Sequence, residues 1–429
     1  MRGLRGMQAG ERRYRGFVLG MLSLAYVFNF LDRQILVILQ ESIKADMGLS
    51  DAQLGILSGF AFALFYCTFG IPIARWADRG SRRNIIALAM GIWSAMTALC
   101  GFAANYFQLL LARIGVGIGE AGASPPAHSM ISDYYPAEER GRAMSIYSMG
   151  LYVGILVGSI IGGVIEQWVG WRMAFIIVGL PGVLLAVVFR LTVKEPERGR
   201  FDEGEHEAPQ GSMWSAIARF WAIRSFRYAS LGSAFVAFVA YGVGNFMPSF
   251  LIRVHGMSVA EVGAWFGLAI GLGGAIGAIV GGFVADRLGS RDRRWYLWLP
   301  GFAMLAGLPL CLLCLNVSSS AGAVALFFIF YMLISVFLGP TVAIVHSLVA
   351  PTERALASSM LFLVLNLIGL GLGPLTVGLI SDALTPSLGV GGLRWALMIV
   401  ASMGVLATVT YALAARTVEG ELYRREAAA

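Results

Sequence analysis

About twelve stretches of this chain stay apolar over roughly twenty residues or more, without a two-residue alternation. Few solvents accept such a chain. In water, a fold of 429 residues cannot bury that many long apolar runs, whereas in a bilayer the runs face lipid. Lipid offers no hydrogen-bond partners, so each crossing segment must satisfy its own backbone, and at this length that means a helix. Composition agrees. Mean hydropathy is +0.74, and charged residues make up 13% of the chain, about half the share of a soluble domain. The 54 glycines suit helices that pack closely through small residues.

The apolar runs place spans at 16–39, 50–76, 83–103, 106–131, 142–165, 172–193, 227–251, 259–284, 295–315, 321–349, 354–380 and 392–415. The predicted fold class is an all-α integral membrane protein, with twelve transmembrane helices in two pseudo-symmetric six-helix bundles. Residues 1–193 form the first bundle and 227–429 the second. The long polar connection 194–226 joins them and contains Lys194-Glu-Pro-Glu-Arg and Asp202-Glu-Gly-Glu-His-Glu. The arginine-rich start carries no small-residue cleavage site, and its first apolar run is too long for a signal peptide, so a retained helix is expected.

Net charge is +7, but the basic residues sit in short loops between apolar runs rather than in a nucleic-acid-binding patch. With the N-terminus inside, 25 of the 32 lysines and arginines fall on the cytoplasmic side. Four (Lys44, Arg172, Arg253 and Arg394) fall opposite. This bias predicts a multi-pass protein of the cell inner (plasma) membrane with both termini cytoplasmic. Cys311 and Cys314 form a C-x-x-C without a partner motif, and no metal or cofactor is expected. The glycine-rich runs Ile114–Gly119 and Gly271–Gly277 follow no strand and lack the lysine of a phosphate-binding loop, which argues against ATP coupling.

The two halves repeat. Ala74-Arg-Trp-Ala-Asp78-Arg79-Gly-Ser-Arg82 returns as Gly282-Phe-Val-Ala-Asp286-Arg287-Leu-Gly-Ser290. Pro136-Ala-Glu-Glu139-Arg140 returns as Pro351-Thr-Glu353-Arg354, and Gly170-Trp-Arg172 as Gly392-Leu-Arg394. Repeated six-helix units imply a central pathway and a site near the midplane.

These loops resemble the cytoplasmic signature of the major facilitator superfamily, with Ala74 and Ser81 in place of its two glycines. Gly154, Gly158, Gly162 and Gly163 resemble the glycine-rich fifth helix of that superfamily's antiporters, without its proline. Gly373-Pro374 places a proline in the eleventh helix. Asn29-Phe-Leu-Asp32-Arg33, Arg113-Ile-Gly-Val-Gly-Ile-Gly-Glu120 and the stretch Asp133 to Arg142 look like the Spinster branch, whose animal members export sphingolipids and lysolipids. The resemblance implies a protonation and substrate-binding role for Asp32, Arg33 and Glu120. It also implies gating by Asp78 with Arg79, Arg82 and Arg83, by their copies Asp286 and Arg287, and by Arg140 and Arg354.

The residues themselves point the same way. A charge at the bilayer centre costs about 2.5–3.5 kcal/mol even on lenient scales, so Asp32, Arg33, Arg113 and Glu120 should face the bundle interior. Arg113 and Glu120 are two helical turns apart and share a face. Desolvation raises a buried carboxylic acid's pKa and a nearby arginine lowers it, a competition suited to proton exchange near neutral pH. The alternative is that these charges only hold the first and fourth helices together. Asn29, Arg113, Tyr241, Asn245, Phe246 and Asn366 are candidates for lining a substrate site. His128 and His346 read as hydrogen-bonded histidines near span ends. The second half's spans hold almost no charge, which suits an amphipathic substrate with its headgroup at Arg33. The expected function is proton-coupled transport of a lysolipid, sphingoid-like molecule or hydrophobic drug. The alternatives are a proton-coupled organic-anion permease and a membrane receptor or scaffold. Expected partners are membrane lipids, protons and the substrate, with the protein acting as a monomer. No nucleophile–base constellation suggests an enzyme.

Overall fold

The computed structural model describes residues 9–201, 213–350 and 353–426. The acidic stretch from Asp202 to Glu207, together with Pro351 and Thr352 of the repeated loop, lies outside the described residues. Ten helices among the described residues are long and apolar enough to cross a membrane. Twelve spans emerge once two local features are read. Helix α4 is built in two pieces, Tyr106–Glu120 and Ser124–Tyr134, each too short alone. The stretch Ala137–Thr192 is two helices, α5 and α6, broken at Gly170 where φ is +80°. The others are α1 (Ala9–Met47), α2 (Asp51–Arg79), α3 (Arg82–Cys100), α7 (Arg224–His255), α8 (Val259–Gly289), α9 (Trp295–Asn316), α10 (Ser320–Leu348), α11 (Arg354–Leu388) and α12 (Gly391–Leu422).

The first hairpin of each half uses the same local code. Helix α1 ends at Gly48 and α7 at Gly256, with φ of +67° and +66°. Only glycine adopts this left-handed conformation without a steric cost. Two residues later Ser50 and Ser258 open the next helix. Each hydroxyl accepts from the backbone N–H three residues on, and Gln53 or Glu261 returns a bond to the serine's own N–H. These paired capping boxes satisfy donors that the bilayer cannot. Helices α2, α8 and α11 each contain a wider π-helical stretch, at Ile56–Phe60, Leu268–Gly273 and Leu365–Leu372. Such stretches are rare and mark places where helix packing departs from the regular ladder.

By packing, the chain forms two compact units. Unit 1 comprises Met1–Leu39 and Phe65–Gly204; unit 2 comprises Gln40–Leu64 and Glu205–Ala429. The far end of α1 and the first half of α2 therefore belong with the second half of the sequence. In unit 2 the N-terminus of α2 is received by Asp382 of α11. Its carboxylate accepts from the Asp51 and Ala52 N–H groups at 2.9 and 2.8 Å, a favourable place for an anion. Gln40 of α1 donates to the Asn245 carbonyl of α7 and, at 2.8 Å, to the Ser249 hydroxyl. Deeper in the same unit, the buried Tyr411 hydroxyl meets Ser233 at 3.0 Å and Thr341 at 2.8 Å, tying α12 to α7 and α10.

In unit 1 the fifth-helix glycines pack against α1. A Cβ at Gly154 would lie 2.5 Å from the Val27 carbonyl oxygen and 2.9 Å from the Phe30 Cβ. Rigid helix backbone cannot yield that distance cheaply. Gly154→Ala is therefore expected to destabilise the protein by about 1–3 kcal/mol through overpacking. Gly20→Ala, with nothing within 4 Å, should be near neutral. Thermal unfolding in detergent, compared between the two variants, checks this; equal midpoints would refute the close-packing account.

Candidate functional site

Helix α1 carries Asn29, Phe30, Asp32 and Arg33 within five residues, and the first piece of α4 carries Arg113 and Glu120. All belong to unit 1. Their helices bring the four charged groups into one buried cluster. The Arg33 Nε donates to Glu120 Oε2 at 2.5 Å. Arg113 Nη1 donates to the backbone carbonyl of Asp32 at 3.4 Å. The Asp32 side chain stands beside Thr97 of α3 and near Arg113 and Glu120. Asn29 stands beside Glu120.

Burial divides the cluster. Asp32, Arg113, Glu120 and Asn29 are at most 2% exposed, whereas the Arg33 side chain is 20% exposed. Arg33 is thus the charged group of the cluster that reaches the surface of its unit. Thr97 beside Asp32 and Asn29 beside Glu120 are the neutral side-chain donors near the two acids, and neither is aligned for a well-formed hydrogen bond to Asp32 or to Glu120 Oε1. A buried ionised carboxylate normally has several donors. With both acids ionised and both guanidiniums charged, the cluster sums to zero. Each proton it takes adds one positive charge, and an anion bound at Arg33 would restore neutrality.

The remaining sequence candidates are distributed as follows. Arg113 is 1% exposed and Phe246 fully buried, so neither presents a surface to a ligand in this state. Asn245 is buried, its amide donating to the Tyr241 carbonyl at 2.8 Å. Tyr241 and Asn366 are half-buried in unit 2. Arg82, expected to gate, lies buried within unit 1. Its Nε donates to Glu195 at 2.8 Å, its Nη1 to Asp133 and, at 2.8 Å, to Ser129, and its Nη2 to the Pro196 carbonyl at 3.1 Å. The Arg83 N–H also donates to Glu195. Asp78, Arg79 and Arg287 are exposed and make no ion pair among the described residues. Asp286 accepts from the Tyr296 hydroxyl at 2.9 Å. Arg140 and Arg354 donate to the Ser132 and His346 carbonyls. His346 is hydrogen-bonded to Ser358 at 2.6 Å, while His128 rests edge-on against the Tyr147 ring.

Sequence reasoning missed two groups. One is aromatic: Phe30 and Tyr66 flank Arg33. Phe30 stands one helical turn before it, a signal visible in the chain; Tyr66 comes from α2 and carries none. The other is a charged cluster in unit 2. Arg253 donates Nε and Nη2 to Glu41 at 2.9 and 2.6 Å, and Nη1 and Nη2 to Asp51 at 2.8 and 2.7 Å. Asp51 also accepts from Lys44 and, at 2.6 Å, from the Ser381 hydroxyl. Lys44 and Arg253 had served only as topology markers.

A scaffold of twelve membrane-length helices around a buried ion cluster fits a membrane transporter. The chain belongs to the Major Facilitator Superfamily, whose family profile it matches over residues 22–369, and within it stands with the Spinster branch. It is a transporter and not an enzyme. A bacterial homologue of the human lysosomal transporter Spinster, solved in an inward-facing, unoccupied conformation, superimposes with a TM-score of 0.87. That match has 36% identity and covers 95% of this chain and 98% of the other. The "MFS-type efflux pump" of Mycolicibacterium smegmatis is 35% identical over 97% of this chain and 95% of its own. The "Probable galactarate/D-glucarate transporter GudP" of Bacillus subtilis is 29% identical over 65% and 66%. The "Sphingosine-1-phosphate transporter SPNS2" of Danio rerio is 26% identical over 86% and 76%.

Proposed function

We propose that this protein is a proton-coupled transporter of an amphipathic molecule with an anionic headgroup, of the lysolipid or sphingoid-phosphate kind, working by alternating access in a bacterial inner membrane with both termini cytoplasmic. The observation that carries the reading is the buried Arg33–Glu120 pair beside an Asp32 carboxylate that has no well-formed hydrogen bond among the described residues. In a low-dielectric setting a net charge is the expensive state. Proton uptake at Asp32 or Glu120 therefore leaves Arg33 in need of a new anion, and the headgroup supplies it. Arg113, buried behind them, serves as the fixed counter-charge. Likeness to a sphingosine-1-phosphate transporter supports the lipid class. The exposed Asp78 and Arg79, with their copies Asp286 and Arg287, remain the candidate cytoplasmic gate, and one chain suffices as the working unit.

Transport into proteoliposomes under an imposed pH gradient tests this. Lysophosphatidylglycerol is expected to move only with the gradient, and Glu120→Gln and Asp32→Asn to abolish the gradient dependence. Gradient-driven transport of glucarate with no lysolipid movement would instead establish the organic-anion reading. Lysolipid transport indifferent to pH and to both amide variants would sink proton coupling.

A further inference from the structure

The ring faces around Arg33 have no part in the proton-and-headgroup exchange as described. The Arg33 guanidinium carbon lies 4.9 Å from the centre of the Phe30 ring and 5.2 Å from that of Tyr66. Phe30 is itself braced. It meets Tyr26 edge to face at 5.1 Å, and Tyr26 stacks on the buried Tyr147 at 4.4 Å and 18°. A row of rings thus runs from Tyr147 to Arg33, and Tyr66 offers the guanidinium a further ring face. All of these residues lie in unit 1.

An arginine paired to a carboxylate loses that ion pair when the acid takes a proton. A ring face attracts the guanidinium through its quadrupole, which does not change when Glu120 is neutralised. A guanidinium lying over a ring face can keep N–H groups directed away from the ring. Such groups can bind a phosphate or carboxylate with two hydrogen bonds. We infer that Phe30 and Tyr66 are positioning residues that hold Arg33 in its headgroup-binding pose when Glu120 no longer does, and so set the preference for an oxyanion headgroup. The inference rests on the headgroup reading above. The titratable and charged groups facing Arg33 are Glu120 and Arg113 from α4, Asp32 from its own helix, and Tyr66 and Cys67 from α2.

The test is the binding of lysophosphatidylglycerol to the detergent-purified full chain. The proteins compared are wild type, Arg33→Ala, Tyr66→Leu, Tyr66→Phe and Phe30→Leu, with the two leucine variants repeated in a Glu120→Gln background. Tyr66→Leu and Phe30→Leu are each expected to weaken binding about tenfold, and Tyr66→Phe, which keeps the ring face but not the hydroxyl beside Arg33, to recover most of the loss. The loss should be larger in the Glu120→Gln background, where the ion pair to Glu120 no longer holds the guanidinium. Equal losses in both backgrounds would mean that the rings only fill space, and would overturn the inference. So would wild-type binding by both leucine variants while Arg33→Ala loses it. Two leucine variants guard against one failing to fold. If Arg33→Ala binds as well as wild type, the headgroup reading fails and this inference with it.

Discussion

Arg82→Ala is expected to lower the stability of the protein by about 3 kcal/mol, the low end of the cost of leaving a buried carboxylate without its cation, since Asp133 is buried but Glu195 is half-buried. The side chain is 2% exposed, and its planar fork reaches four acceptors: Glu195, Asp133, Ser129 and the Pro196 carbonyl. These acceptors come from the end of α4 and from the segment that follows α6, so one guanidinium ties both to the start of α3. Arg82→Lys retains the charge but cannot reach the acceptors in this planar geometry, and should recover only part of the loss. The network also has a pH signature. Burial pushes the Glu195 carboxyl up, but the Arg82 guanidinium, the Arg83 N–H and the Ser81 hydroxyl outweigh it and hold its pKa below the ordinary value. A carboxylate with a lowered folded-state pKa contributes stability that is complete above its unfolded value, about 4.3. That contribution disappears as pH falls through the folded value. Thermal unfolding measured from neutral to acid pH should therefore show a decline in the wild type that is blunted in Arg82→Ala. Identical pH slopes would remove Glu195 from the account.

Arg253→Ala is expected to release the segment 40–64 from unit 2. Arg253 makes four hydrogen bonds to Glu41 and Asp51, and Asp51 is 1% exposed. With Arg253 removed, Lys44 and Ser381 must hold the Asp51 charge alone. The cost is placed at about 3 kcal/mol, the lower end of the range for a broken buried pair, because Arg253 and Glu41 keep some solvent. In a transporter that opens alternately at its two ends, this cluster is positioned to keep the end of α1 and the start of α2 seated. Hydrogen exchange read by mass spectrometry should show faster exchange across 40–55 in the variant, with residues 105–120 of the central site unchanged. Unaltered protection at 40–55 would show that Asp382 and Gln40 suffice.

How legible was this in the chain? The spans were, because lipid leaves a long apolar run only one conformation. Their number could not be taken from length alone. Helix α4 breaks between Glu120 and Ser124, and α5 runs into α6 through a glycine that interrupts the helix for one residue. The meeting of Asp32, Arg33, Arg113 and Glu120 was legible too, since charges stranded at depth on two helices need one another. Partners brought together by long-range packing were not. Glu195 follows Arg82 by more than a hundred residues and sits in a loop that reads as an ordinary polar connection. Arg253 and Lys44 look like stray positive charges until α7 and α1 place them beside Asp51. Tyr66 is one aromatic among many in an apolar helix, and only its ring's position over Arg33 distinguishes it.

The matched turns at Gly48–Ser50 and Gly256–Ser258 bear on how the protein is made. Each turn's stop and start signals are local: a left-handed glycine, then a serine whose capping partner lies three residues on. None of them requires a helix that has yet to be synthesised. A nascent chain can therefore enter the bilayer as a finished helical pair at α1–α2, and again at α7–α8, with backbone groups already satisfied at the turn. The charged residues at depth, which are costly alone, then meet their partners as later pairs arrive. The turns are shared by both halves, whereas the Asp32–Arg33 and Arg113–Glu120 pairs belong to the first half alone.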